Sequence, residues 1–422
     1  MNRVVISGIG VVSPLGTGFT QTWKELVAGR SAVRPITAYD PSSLRTRFGA
    51  EITDFDAKPF VRNRKSLRLM TRANQLAHAA VRLATEEARI DPATSGNDSV
   101  GVFLASENQI SDPLHILDAT VEACGPDGRI DPTRLGHEAA RMYPLFFVEG
   151  LPSAELFFLS EEFGFAGPSA FLSGAGDAGI SAIGNAYRAI ARGETTVAVA
   201  GGFDDGVSWW CMSKLDRLDL LTGRNEAGAV RPYDRDASGT VLGEGACMLV
   251  LEDYDTAVAR GIEPYAEIVG FGGGSDPVTP GEIWGDGTGL RNAMASAMRE
   301  AGVAGTDIGY VAADGAAVIR ADLAEARALR AALGAGADTV AANSVQPALG
   351  QLLSAAGPLN VALAAMTLRE ATVTPTLNLS AAAPRCDLDW VPGTARELRA
   401  DYSLALGRGL SGQAAALALR RL

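Results

Sequence analysis

Short, wholly apolar runs alternating with amphipathic stretches are the feature that most constrains this chain. "VGVFLAS" (100–106) and "TTVAVAGG" (195–202) show no polar–apolar alternation. Such strands are buried on both faces, as in a sheet covered by helices. Helical patterns lie between them. In "RANQLAHAAVRLATEEARI" (72–90), Leu76, Ala79, Ala80 and Leu83 share one face. In "ISAIGNAYRAIARG" (180–193), Ile180, Ile183, Tyr187 and Ile190 form a stripe closed by Gly193. "ACMLVLEDYDTAVARG" (246–261) passes from strand to helix, and the alternation then restarts. "YAEIVGFGGG" reads as a strand and glycine loop, and 309–317 as a strand running into a loop. Helices are expected at 289–302, in "ADLAEARALRAALG" and in "LLSAAGPLNVALAAMTLRE", with a hairpin closing the chain. No linker separates the two series. The expected fold is α/β, with two similar halves (1–252 and 253–422) in one layered body.

The bulk numbers exclude several function classes. A chain of 422 residues, 47% hydrophobic and 20% charged, can bury a large core. A net charge of -12 argues against broad nucleic-acid binding. The opening "MNRVVISGIGVVSPLG" is strand-like, without a signal-peptide core. No apolar run reaches the ~18 residues of a membrane span. Cys124, Cys211, Cys247 and Cys386 lack CxxC spacing, which fits a reduced, cytoplasmic chain without disulfides or zinc. No cofactor or metal is expected. The histidines are His78, His115 and His137, so no second-half histidine base exists.

Three local features bear on chemistry. "GPSAFLSGAGDAGISAIG" (167–184) reads as turn, strand, small-residue corner and helix, the place where many enzymes hold a nucleophile. Its corner carries Gly176, with no Ser or Cys. "GFGGGS" (270–275) lacks a phosphate-loop lysine and a following helix start, so it reads as a plain turn. "RNRKSLRLMTR" (62–72) gathers Arg62, Arg64, Lys65, Arg68 and Arg72 in an acidic protein. It is either a solvated helix start or a docking patch for an acidic partner.

Around the corner the sequence resembles the β-ketoacyl synthases of the thiolase-like superfamily, nearly end to end. The resemblance rests on "RVVISGIGVVSPLG", "GPS" with its corner, "RPYDRDASGTVLGEGACMLVLED" (231–253), "PTLNL" (375–379) and "CDLDWVP" (386–392). It implies a five-layer αβαβα fold. Carried over by position, the family's nucleophilic cysteine falls on Gly176 and its first histidine on Asp314. Its lysine falls on Gln346 and its second histidine on Gln351. The late gating loop is here "GLSGQAA" (409–415). Claisen condensation needs a thiolate to carry the acyl chain and two donors for the enolate. Glycine cannot be acylated, an anionic Asp314 would repel an enolate, and Gln351 exchanges no proton at neutral pH.

This pattern resembles one branch, the chain length factor or ketosynthase beta subunit of type II polyketide synthases. "ADGAAVIRADLAEARAL" (313–329) and the final "RRL" carry that likeness. The resemblance implies a catalytically silent partner of a ketosynthase alpha subunit, which covers and limits the acyl tunnel. It implies an acyl carrier protein as second partner, and no nucleic acid or membrane. Region 143–167 is nearer to partners of synthases that make reduced, polyene-type chains. The branch's chain-length gates map onto Ser111, Leu114 and Asp118, with Asp112 and His115 beside them, and onto Trp210 and Cys211. Asp112 is a candidate N-cap and Pro113 suits a first helical turn. Two rival readings are a residual malonyl-thioester decarboxylase or thioesterase using Asp314, and a homodimeric acyl-binding protein.

Overall fold

The computed structural model describes residues 2–90, 99–108, 110, 113–278 and 285–422. The first half supplies strands β1 (Val4–Ser13), β2 (Gly101–Ser106), β3 (Ser169–Ser173), β4 (Val197–Asp205) and β5 (Glu244–Asp253). The second half supplies β6 (Glu267–Ser275), β7 (Ile308–Ala312), β8 (Ala341–Asn343), β9 (Tyr402–Arg408) and β10 (Gln413–Arg420). Along the sheet the first five run β3-β2-β4-β5-β1, and the second five run β8-β7-β9-β10-β6. Both orders are therefore third, second, fourth, fifth, first.

Strand directions repeat as well. β2 is parallel to β3 and β4, while β5 is antiparallel to β4 and β1. β7 is parallel to β8 and β9, while β10 is antiparallel to β9 and β6. β1 and β6 join the halves, with Val4 opposite Ile268.

The helices that bear on the site are, in chain order, α1 (Arg64–Leu67), α2 (Arg72–Glu87), α3 (Leu114–Glu122), α4 (Glu155–Phe163), α5 (Gly176–Ala191), α6 (Trp209–Asp216), α7 (Thr288–Ala301), α8 (Ile319–Leu333) and α9 (Ala356–Glu370). α2 packs on the outer face of the first-half strands, and α7 on that of the second-half strands, with α8 against α7. α5 and α9 pack on each other and on strands of both halves. Ile180, Ile183, Leu359 and Leu363 are fully buried there. Each such side chain stabilises the fold by about 1.5–3 kcal/mol. The layers alternate as α, β, α, β, α.

Three expectations shift. "GFGGGS" is not a turn, because β6 runs on to Ser275 and Gly270–Gly274 face Ala418–Ala414 of β10. Its glycines admit a close helix: a Cβ at Gly272 would lie 2.1 Å from the Ala293 carbonyl oxygen of α7. The small-residue helix starts only at Ala356, after a 3-10 turn in which Leu353 has φ +52°. The basic stretch is divided, with Arg64 and Lys65 on α1 and Arg72 opening α2.

Candidate functional site

Gly176 begins α5 directly after edge strand β3, so the corner stands where the sequence placed it. It is buried, and its carbonyl oxygen is pressed by two other glycines. A Cβ at Gly357 would lie 2.1 Å from that oxygen, and one at Gly407 2.3 Å from it. At Gly176 itself the position is open to a side chain. A Cβ there would meet the Arg408 amide nitrogen and Gly407 Cα at 3.4 Å, and the Gly357 nitrogen at 3.5 Å.

The other three mapped positions converge on one buried cluster. Asp314 follows β7, and its carbonyl accepts from Ser344 Oγ at 2.8 Å and Gln346 Nε2 at 3.0 Å. Thr240 Oγ1 donates to Gln346 Oε1 at 3.1 Å. The amides of Asp314 and Gly315 donate to Glu325 at 2.9 and 3.0 Å, and Tyr233 Oη donates to the same carboxylate at 3.0 Å. Gln351 Oε1 accepts from the Leu353 amide at 3.1 Å, and its side chain also bonds Asp314. Glutamine suits these positions because its amide both donates and accepts. The space left among Asp314, Ser344, Gln346, Leu349, Gly350 and Asn360 is about 10 Å³, room for a single water.

Asp314 is not the plain anion expected. Burial and then Glu325 push its carboxyl up to about 7, against the pull of Arg408 and the Gln351 side chain. Burial and then Asp204 and Asp177 push Glu107 to about 7 as well, with Lys214 opposing. Burial also raises Asp177, whose Oδ1 has no hydrogen-bond partner among the described residues. Asp177 and Asp314 repel each other, and so do Asp177 and Glu107.

Arg408, at the end of β9, was not singled out from sequence. It is 4% exposed and donates through Nη1 to the Ala321 carbonyl at 2.8 Å. Its charge opposes the rise of both Asp314 and Asp322. The signal was present: an arginine inside "YSLALGRG" cannot be buried without carboxylates nearby.

Cys211 and Cys247 are fully buried, and burial pushes both thiols well up. Among the described residues no three His, Cys, Asp or Glu are placed to hold a metal, and no helix is long and apolar enough to cross a membrane.

Ser111 and Asp112 lie outside the described residues. The helix expected after Pro113 is α3, and Leu114 and Asp118 are both exposed on it, with His115 in the same helix. Trp210 is half-buried on α6, with Lys214 Nζ 5.2 Å from its ring centroid. Cys211 instead packs inward, in an apolar cluster with Val207, Met212 and Leu215. β3 ends the sheet, and its residues are exposed or half-buried. Val121, Ile130, Tyr143, Leu145 and Phe157 are exposed in the segment that precedes it. An unpaired strand beside apolar surface is a template for association.

The basic residues separate. Arg62, Arg64, Lys65 and Arg68 are exposed, and no carboxylate among the described residues is within ion-pair distance of them. Arg72 does not join that surface. It binds Glu244 through Nε at 2.6 Å and the Ile52 carbonyl through Nη2 at 2.6 Å.

Residues 1–257 match the β-ketoacyl synthase N-terminal domain, and residues 265–380 its C-terminal domain. The chain is 32% identical over 421 residues to the tetracenomycin polyketide synthase ketoacyl synthase alpha subunit of Streptomyces glaucescens, covering 99% of this chain and 97% of that one. It is 31% identical over 421 residues to 3-oxoacyl-[acyl-carrier-protein] synthase 2 of a Synechocystis species, covering 99% and 98%. The solved ishigamide ketosynthase/chain length factor superposes with a TM-score of 0.87 at 27% identity, covering 100% and 99%. The layered fold is thus the thiolase-like one, and the chain belongs to the β-ketoacyl synthase family.

Proposed function

We propose that this chain is the chain length factor of a type II polyketide synthase, a silent subunit paired with a cysteine-bearing ketosynthase alpha subunit. The observation that carries the reading is the filled site. Gly176 offers no nucleophile, and the space that Gln346 lines beside Asp314 is only about 10 Å³. An acyl chain cannot enter here, so elongation takes place in the partner. This subunit contributes the edge of β3 and the apolar segment before it, completing a pseudo-symmetric dimer. The likeness to a solved ketosynthase/chain length factor supports the reading.

The second partner is an acyl carrier protein, with which a relative's name connects the family. The exposed cations of residues 62–68 offer it a docking surface. On the sequence character of residues 143–167, the chain handled is of the reduced, polyene type.

Co-expression with a cysteine-bearing ketosynthase and a carrier protein tests the proposal. A one-to-one complex is expected to elongate malonyl units, while this chain alone neither condenses nor decarboxylates malonyl-carrier. A monomer that ignores the ketosynthase, or malonyl turnover by the isolated chain, would overturn it.

A further inference from the structure

The exposed cations of residues 62–68 stand on a short loop and a single helical turn, which cannot hold them in place alone. α4 lies against that segment and supplies what it lacks. Phe158 of α4 is fully buried against Val61 and Met70, with Leu67 at the margin. Glu161 of α4 accepts from Asn63 Nδ2 at 2.6 Å and from Ser66 Oγ at 2.8 Å, one carboxylate oxygen for each. Asn63 in turn caps α1, accepting from the Lys65 amide at 3.0 Å. Glu162 accepts from the Arg62 amide at 3.1 Å.

The oddity is Glu161 itself. It is exposed, and it puts a negative charge beside cations that are meant, on the reading above, to attract an acidic partner. As a charge it works against docking. As a two-pronged acceptor it fixes both the cap and the middle of α1, and with them the direction of Arg64, Lys65 and Arg68.

We infer that Glu161 is a positioning residue for carrier docking: it orders the cationic turn at a small electrostatic cost. Preorganisation of this kind raises affinity by removing an ordering penalty at the moment of binding. Lysine and arginine side chains on an unpinned turn would lose that freedom only when the carrier arrives.

The inference rests on the patch receiving the carrier, and its two terms differ in sign. Removing a like charge near the docking surface strengthens attraction to an acidic partner. Removing the pin weakens it. The measurement is the Kd of a holo acyl carrier protein for the assembled heterodimer, at low and moderate salt. Glu161→Ala is expected to weaken binding about five-fold although the surface becomes more positive. Glu161→Gln keeps an acceptor for one of the two donors and loses the charge, so it is expected to bind at least as well as the parent. In a background with Arg64, Lys65 and Arg68 all changed to Ala, Glu161→Ala is expected to have no further effect.

Unchanged or tighter binding by Glu161→Ala would overturn the inference, and so would an equal loss in the triple-Ala background. If the triple-Ala protein itself binds the carrier as well as the parent, the docking reading fails, whatever Glu161 does. Far-ultraviolet circular dichroism and the melting temperature of Glu161→Ala are expected to match the parent, since the side chain is exposed. A weaker binder that is also globally unstable would overturn the assignment in favour of a structural role.

Discussion

Gln346 Nε2 donates to the backbone carbonyl of Asp314 at 3.0 Å, lining a space of about 10 Å³. The contact is neutral, buried and complete on both sides, because Thr240 satisfies the amide oxygen. A thiol restored at Gly176 would leave this contact in place. Gly176→Cys is therefore expected to fold yet to show no condensation. Carrier-bound product by mass spectrometry is the readout, and elongation by Gly176→Cys alone would contradict the silent assignment.

Gly176→Ala is expected to leave heterodimer turnover unchanged. The added Cβ has neighbours at 3.4–3.5 Å, ordinary to slightly tight contact. Stability should change by no more than about 1 kcal/mol, since alanine also gains helix propensity over glycine. Urea melts and product profiles check this together. Lost turnover with an unchanged melt would reveal a role for the bare glycine.

Asp314 gives a pH test. Its carboxyl is held at about 7 in the fold, against 3.8 when free. The folded state therefore keeps a proton that the unfolded chain releases, and stability falls as pH rises between those values. Asp314→Asn removes the charge at every pH. Its melting temperature relative to the parent is expected to climb from pH 4 to 7 and then level off. A difference that does not vary with pH would show that Asp314 ionises as freely as an exposed carboxyl.

His78 has the same sign over a higher pH range. It is fully buried, with Nδ1 3.0 Å from Glu155 and Nε2 3.1 Å from Glu162. Burial opposes its charge, but the two carboxylates outweigh burial and lift the imidazole from 6.5 to about 9. Its contribution is complete below pH 6.5 and is lost as pH rises through 9. On the order of 3 kcal/mol is involved. His78→Gln should thus be most damaging below pH 6.5 and nearly harmless at pH 10, measured by denaturant unfolding across that range.

Arg408 is the cation among buried Asp314, Asp322 and Glu325. Arg408→Met is expected to destabilise the fold by roughly 3 kcal/mol, because it leaves buried carboxyls without their counter-charge. Adding Asp322→Asn should recover part of the loss. A melt of Arg408→Met equal to the parent's would remove this electrostatic account.

Much of the architecture was legible in the sequence because burial writes itself into periodicity. The apolar runs at 100–106 and 195–202 became β2 and β4, and the stripe through Ile180 and Ile190 became the buried face of α5. Where periodicity is silent the reading faltered. Gly272–Gly274 carry no side chains to alternate, so a strand passed for a turn. The corner at Gly176 was found by its motif, but the proton on Asp314 depends on Glu325 and Arg408, which only folding brings near. Cys211 and Arg72 point away from the surfaces first drawn through them, since a residue's partner across space leaves no trace in its neighbours along the chain.

The two halves share one strand order, and the four mapped positions stand where strands stop, outside either ladder. Gly176 opens a helix after β3, Asp314 follows β7, and Gln346 and Gln351 follow β8. None is a rung of the ten-strand path. A lineage carrying such a duplicated frame can discard its chemistry without disturbing the scaffold. What inheritance then preserves is the frame alone.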